Sequence, residues 1–269
     1  MPNTPLCVDD VRVSLKLIST DFDGTLHDDR TQPPVPVELQ DFLLDLQSRG
    51  ISWIINTGRD LPSLTTALAA AQLKVNPDFV VVVEREVYRR NGHGLDSVES
   101  WNRRCRNVHQ ELFARVRPRL PEIMRWISAR FQATVFEDAY SPFCLVAANN
   151  QDADRIMEYL EKICREIDGL AIMRNDIYAR FCHVEFNKGT ALAEIARLLG
   201  VERKSILAAG DHLNDIPMLS YAYAGCLMTT ANAVEEVKHH VRKQNGYVSR
   251  ASHGLGVLEG LLHFARSNT

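Results

Sequence analysis

Long apolar runs, paired cysteines and an excess of positive charge are all missing from this sequence of 269 residues. No stretch approaches the roughly 20 apolar residues that a membrane-spanning helix needs. The longest candidate, residues 79–83, has the length of a strand. The opening MPNTPLCVDDVRV also lacks the basic start and apolar core of a secretory signal. We therefore expect neither a membrane span nor secretion.

The six cysteines are scattered, and none forms a C-x-x-C pair. Structural zinc sites require closely spaced ligands, and disulfide frameworks are typical of short secreted chains. We therefore expect reduced, partly buried thiols in a cytoplasmic protein. The residues concerned are Cys7, Cys105, Cys144, Cys164, Cys182 and Cys226.

Charge is nearly balanced, with 31 Lys and Arg against 34 Asp and Glu and a formal net charge of −3. Proteins that bind nucleic acid through bulk charge are usually strongly basic, so we expect no nucleic-acid partner. A small anionic ligand held by a few local cations remains compatible with this composition. The sequence indicates no oligomeric state.

The first part of the chain alternates short apolar strands with amphipathic helices. Strands are predicted at residues 13–20, 51–56 and 79–83, with helices over 36–49 and from Asp60 onward. Continuous apolar strands separated by helices indicate a parallel sheet that is covered on both faces. The same rhythm returns after residue 185, with a helix over 192–199, strands over 205–209 and 225–228, and a short helix over 216–221.

Residues 84–184 follow another pattern, in which hairpin strands mix with helices. We interpret them as an inserted α+β cap domain. The fold class predicted is therefore α/β, with a Rossmann-like parallel core of residues 1–83 and 185–269.

Polar loops follow three predicted core strands, and a lysine begins the helix after the insertion. In an open parallel sheet such loops gather at the carboxyl edge, where ligands bind. The residues are Asp21, Asp23 and Thr25 in the first loop, Thr57, Gly58 and Arg59 in the second, Asp211, Asn214 and Asp215 in the third, and Lys188 at the helix start.

Four carboxylates brought within several ångströms repel each other and raise their own pKa values. A divalent cation resolves this conflict, and all-oxygen ligands favour Mg²⁺ over Zn²⁺. A lysine and a hydroxyl can hold phosphate oxygens, and a free carboxylate that faces phosphorus is a candidate nucleophile. Each loop alone could be a turn, a helix cap or a solvated side chain; their joint occurrence in this order favours an active site.

The set resembles the haloacid dehalogenase-like (HAD) phosphohydrolase superfamily. Its D-x-D-G-T motif matches residues 21–25, its T-G-R motif matches residues 57–59, and its lysine matches Lys188. Its G-D-x-x-N-D-x-x-M motif matches residues 210–218. The N-D form of the last motif, with an insertion between the second and third motifs, is similar to the Cof-like branch, which carries a type-II α/β cap.

The resemblance implies a role for each acidic residue. Asp21 would attack phosphorus and become an aspartyl phosphate. Asp23 would protonate the leaving oxygen and then deprotonate the hydrolytic water. Mg²⁺ would bind the Asp21 carboxylate, the Asp23 backbone carbonyl and Asp211, with Asp215 and Asn214 in support.

The resemblance also implies a phosphate-binding set of Thr57, Gly58, Lys188 and Asn214. The function predicted is a Mg²⁺-dependent phosphatase of a small phosphorylated metabolite, with a sugar phosphate as the first hypothesis. The alternatives are a phosphotransferase or mutase on the same scaffold, and a non-catalytic protein that binds a phosphometabolite.

One segment departs from the Cof-like pattern. Members of that branch commonly carry Asn-Gly after the third core strand, whereas this chain reads Val83-Glu84-Arg85-Glu86. A loop that faces the substrate is therefore altered, so the substrate and the cap residues that select it stay open.

Overall fold

The computed structural model describes residues 15–92 and 94–266. The five cysteines in these ranges are free thiols, and Cys7 lies outside them. No helix within the described ranges combines the length and apolarity needed to cross a bilayer.

Twelve strands are named here in chain order. They are β1 Leu17–Thr20, β2 Ser52–Asn56, β3 Phe79–Val82, β4 Glu86–Arg90, β5 Leu95–Ser97, β6 Ala133–Phe136, β7 Cys144–Ala147, β8 Leu170–Asn175, β9 Tyr178–His183, β10 Ile206–Ala209, β11 Cys226–Thr229 and β12 Tyr247–Val248.

Eight α-helices are named in the same way, and short 3₁₀ turns cover Arg117–Arg119, Arg203–Ser205 and Leu213–Asp215. The helices are α1 Val37–Ser48, α2 Leu61–Ala71, α3 Glu99–Val116, α4 Leu120–Ser128, α5 Asn150–Glu166, α6 Lys188–Leu199, α7 Glu235–Lys243 and α8 His253–Arg266.

The larger sheet has eight strands in the order β12-β11-β10-β1-β2-β3-β4-β5. The strands from β12 to β3 pair in parallel, while β4 and β5 add antiparallel at one edge. Apolar side chains of α1, α2 and α8 pack on one face, and those of α6 and α7 pack on the other. The predicted parallel α/β core is thereby confirmed, with β1 at its centre.

The smaller sheet has four antiparallel strands in the order β6-β7-β9-β8. Its buried face packs against α3, α4 and α5 in a separate apolar cluster that includes Phe143 and Phe181. This unit fits the predicted α+β cap.

Two details of the sequence-based interpretation change. Strands β4 and β5 pair with the core sheet, so the first boundary that we favour for the inserted unit moves from residue 84 to just after Ser97. The division into core and cap otherwise stays a prediction. The helix predicted over 216–221 is wrong, because this segment consists of turns and bends that follow the 3₁₀ turn Leu213–Asp215.

Candidate active site

Asp21 stands at the carboxyl end of β1, the buried central strand, and its backbone N–H donates to Ala209 of β10 at 2.9 Å. The chain then turns through Gly24, whose φ is +79°. A Cβ on Gly24 would lie 2.4 Å from Oδ2 of Asp211. Only glycine therefore lets the first loop approach the third loop this closely.

Three carboxylates meet where these loops converge. Ligand oxygens of Asp21, Asp211 and Asp215 all lie within 4.8 Å of one another. Within the part of the chain that the structure describes, the one lysine or arginine that pairs with this cluster is Lys188, which contacts Asp21 and Asp215. With all three carboxylates ionised, two negative charges in the cluster therefore remain unbalanced. A divalent cation has the matching charge, and carboxylate oxygens are the donors that Mg²⁺ prefers. The residues present therefore fit Mg²⁺.

Lys188 is fully buried, and its Nζ donates to Oδ1 of Asp21 and to Oδ1 of Asp215, each at 2.6 Å. These two carboxylates raise the pKa of Lys188 despite its burial. Asn187 caps α6 by accepting from two backbone N–H groups in its first turn. This N-terminal capping by Asn187 fixes where α6 begins and so directs Lys188 toward the acidic cluster.

Asp215 holds the third loop together. Its Oδ2 accepts from the backbone N–H of Asp211 at 2.8 Å and of His212 at 2.9 Å, while its Oδ1 accepts from Lys188. Asp211 in turn accepts from the hydroxyl of Thr25 at 2.5 Å. Asp215 therefore orients Asp211 and Lys188 as well as adding charge.

The pKa values of the cluster follow from burial. Desolvation raises the pKa of Asp21 well above its usual range, and the neighbouring carboxylates add to this against the opposing effect of Lys188. Desolvation, followed by the charge of Asp215, raises the pKa of Asp211 to about 7. A bound cation favours the ionised carboxylates and so works against both shifts.

The side chain of Asp23 points to the second loop. Arg59 donates to both of its carboxylate oxygens, from Nε to Oδ2 and from Nη2 to Oδ1, each at 2.7 Å. The guanidinium also lies over the ring of Phe22, 5.6 Å from its centroid. Asp23 is thus held by a bidentate ion pair beside the acidic cluster, and its predicted contact with a metal is through the backbone carbonyl.

Most of the predicted site residues line a cavity of about 310 Å³ between the core and the cap. Thr57, Gly58 and Asn214 line it together with Asp21, Asp23 and Asp211. Asp215 is fully buried and does not line it, and Lys188 borders an adjoining cavity instead. The cap hairpin contributes Met173, Asn175 and Tyr178 to the lining. The sequence carries no local signal for these three residues, because only the folded hairpin brings them over the core.

Glu84 is a further lining residue that the site prediction omitted. Its Oε1 accepts from Nδ2 of Asn214 at 2.9 Å, and its Oε2 lies 3.6 Å from Nη2 of Arg180 in β9. The sequence did carry one signal for this position, because Glu84 lies in the segment that departs from the Asn-Gly of the Cof-like branch.

The fold and the site define a phosphoric monoester hydrolase of the HAD superfamily. A family model described as Sucrose-6F-phosphate phosphohydrolase matches residues 14–265, and the chain belongs to that family.

Curated relatives span nearly the whole chain. The 5-amino-6-(5-phospho-D-ribitylamino)uracil phosphatase YcsE of Bacillus subtilis is 24% identical over 261 residues, which cover 94% of this chain and 96% of the relative. The Bacillus subtilis protein YxeH is 25% identical over 249 residues, which cover 82% of this chain and 89% of the relative.

Solved structures share the fold. The sucrose-phosphatase of Synechocystis sp. PCC6803, determined with sucrose and phosphate, superposes with a TM-score of 0.72 at 22% identity and covers 94% of this chain and 98% of its own. BT1666 of Bacteroides thetaiotaomicron gives a TM-score of 0.63 at 20% identity and covers 97% of this chain and 99% of its own.

Proposed function

We propose that this chain is a Mg²⁺-dependent phosphatase that hydrolyses a small phosphorylated metabolite through an aspartyl phosphate at Asp21. The observation that carries the proposal is that Asp21, Asp211 and Asp215 converge beside a buried lysine, which pairs with Asp21 and Asp215 at a cavity that the inserted unit covers. A covering unit excludes water from the reacting phosphate and suits a small polar substrate.

Asp21, Asp211 and the backbone carbonyl of Asp23 are the groups that we propose to hold Mg²⁺, with Asp215 and Asn214 behind them. When bound, the cation neutralises the charge of the phosphoryl oxygens and of the acidic cluster. The carboxylates then stay ionised at neutral pH in spite of their burial.

Asp21 is the proposed nucleophile. Lys188 holds its Oδ1, which leaves Oδ2 outside that ion pair and able to attack phosphorus. The attack forms a bond between Asp21 and phosphorus and breaks the bond from phosphorus to the leaving oxygen. Thr57, Gly58, Lys188 and Asn214 are proposed to bind the phosphoryl oxygens while charge redistributes in the transition state.

Asp23 is the proposed acid and base. It gives a proton to the leaving oxygen, and it later takes a proton from the water that attacks phosphorus and restores the Asp21 carboxylate. Arg59 donates to both oxygens of Asp23, and each oxygen keeps a second lone pair that can face the leaving group or the water. Arg59 therefore positions Asp23 between turnovers.

A sugar phosphate is the substrate that we propose first. The cap lines the cavity with uncharged side chains, and a structural neighbour was determined with sucrose and phosphate. We also propose a cytoplasmic location, which scattered free thiols favour.

The test is turnover of a panel of phosphomonoesters with Mg²⁺, read as free phosphate against any phosphorylated acceptor. Asp21→Asn removes the nucleophile and is expected to abolish phosphate release. Asp41→Asn is the matched control, because Asp41 is exposed and pairs with Lys74 away from the cavity. Unchanged rates in Asp21→Asn would overturn the mechanism, and a phosphorylated acceptor in place of free phosphate would identify a phosphotransferase.

A further inference from the structure

Glu84 occupies a strained stretch of backbone at the end of β3. Val83 has a φ of +44° and Glu84 a φ of +66°; positive φ values are rare for residues with side chains, above all for β-branched ones. Three hydrogen bonds impose this conformation: Val83 N–H donates to Arg59, Glu84 N–H donates to Thr57, and Nη2 of Arg180 donates to the carbonyl of Val83. Strain that the surroundings maintain is typical of functional positions.

The strained turn points a carboxylate into the reaction cavity. The side chain of Glu84 is only 7% exposed and lines the same cavity as Asp21 and Asp211. A Cβ built on Gly58 would lie 3.3 Å from Oε1 of Glu84, so the carboxylate is directly beside the second loop. Together with the bond from Asn214, this places Glu84 between two of the proposed phosphate-binding loops.

The described lining of this cavity offers no free lysine or arginine to a second negative charge on the substrate, beyond that of the phosphoryl group. Among the described residues that line it, Arg59 is the only lysine or arginine, and Asp23 already engages it in a bidentate pair. Arg180 faces Glu84 itself, with its Nη2 3.6 Å from Oε2 of Glu84. The side chains that the cap hairpin contributes to the lining of this cavity are uncharged.

We propose that Glu84 is a specificity-determining residue that disfavours substrates whose leaving group carries its own negative charge. Like charges held close together in a water-poor site repel strongly, and such repulsion is a common source of selectivity. An uncharged leaving group with hydroxyls instead finds a hydrogen-bond acceptor in the Glu84 carboxylate. This inference rests on the proposed phosphatase function.

The experiment compares kcat/KM for glycerol phosphate and phosphoglycerate, which differ in a hydroxymethyl group against a carboxylate. We expect the wild type to prefer glycerol phosphate by about tenfold or more, because the second negative charge of phosphoglycerate would lie close to the Glu84 carboxylate. Glu84→Gln keeps the shape and removes the charge, and it is expected to reduce this ratio by about tenfold. Glu185→Gln is the matched control, since Glu185 is exposed and pairs with Arg104 outside the cavity; its ratio is expected to equal that of the wild type.

A second variant covers the case in which Glu84→Gln does not fold because the buried charge of Arg180 loses its counter-charge. Asn175→Lys adds a cation at an exposed lining position of the cap and is expected to raise turnover of phosphoglycerate relative to glycerol phosphate. Equal turnover of both esters by the wild type, or a ratio that neither variant changes, would overturn the role of Glu84. Turnover of no ester at all would contradict the phosphatase function instead, so the two failures are distinguishable.

Discussion

Lys188 Nζ lies 2.6 Å from Oδ1 of Asp21, although the two residues are 167 positions apart in the chain. The lysine is fully buried and also bonds Asp215. It therefore orients one oxygen of the proposed nucleophile and balances part of the charge of the acidic cluster.

Lys188→Met is expected to destabilise the protein and to remove its activity. The substitution leaves two buried carboxylates without their cation, and breaking a buried ion pair costs about 3–5 kcal/mol. Loss of a charged group that stabilises the transition state lowers kcat by about 100-fold or more. Urea unfolding in EDTA and steady-state kinetics with Mg²⁺ measure the two effects. Lys74→Met removes an exposed lysine that pairs with Asp41 and is the control; equal stability of the two variants would contradict the role of Lys188.

Gly24→Ala is expected to weaken Mg²⁺ binding. The added Cβ would meet Oδ2 of Asp211 at 2.4 Å, in addition to the strain of a φ of +79°. Gly50→Ala is a close control, because Gly50 has a φ of +81° and no atom within 4 Å of the added Cβ. Left-handed backbone costs either alanine about 1–2 kcal/mol. Calorimetric titration with Mg²⁺ is expected to show reduced affinity in Gly24→Ala alone, and equal affinities would mean that the first loop does not shape the metal site.

The stability of the metal-free protein is expected to fall as pH rises toward neutrality. Burial raises the pKa of Asp211 from 3.8 to about 7, so the folded state holds a proton that the unfolded state has already released between these values. Stability decreases with pH wherever the folded state binds more protons. The contribution of Asp211 is therefore present below about pH 4 and lost by about pH 7.

Urea unfolding in EDTA at several pH values across that window measures the effect. Asp211→Asn cannot titrate and is expected to give a flatter dependence on pH. A wild type whose stability increases through the window, with no difference from Asp211→Asn, would contradict the pKa assigned to this carboxyl.

Arg59→Lys is expected to lower kcat/KM most for substrates with poor leaving groups. A lysine cannot reproduce the two parallel bonds of a guanidinium to Asp23, and a misplaced acid matters most when the leaving oxygen needs a proton. We expect kcat/KM to fall further for an alkyl phosphate than for a nitrophenyl phosphate. Arg49→Lys alters an exposed Arg–Asp pair at the C-terminal end of α1 and is the control. An equal fall for both esters would indicate that Arg59 only maintains the loop.

The core and its loops were predictable because their signals are local. Apolar strands such as β1 and β3 end in polar loops, and the carboxyl edge of a parallel sheet gathers such loops. The contacts within the site were less accessible. The bonds of Asp215 to Lys188 and to the backbone of Asp211 depend on side-chain directions that spacing does not encode.

Other features depend on tertiary context. The residues of β4 read as part of the insertion, because their mixture of polar and apolar side chains lacks the apolar continuity of the core strands; they join the core sheet by pairing with β3. The carboxylate of Glu84 reaches the cavity only because its backbone adopts a φ of +66°. No propensity of glutamate predicts that conformation.

Asp21 and Asp211 are proposed to share one divalent cation beside the attacking oxygen. Anomalous diffraction from crystals grown with Mn²⁺ in place of Mg²⁺ tests it most directly. We expect a single strong peak in this cavity, at about 2 Å from a carboxylate oxygen of each residue, as hard cations require. A peak that contacts neither residue, or carboxylates that bind only protein groups at saturating Mn²⁺, would contradict it.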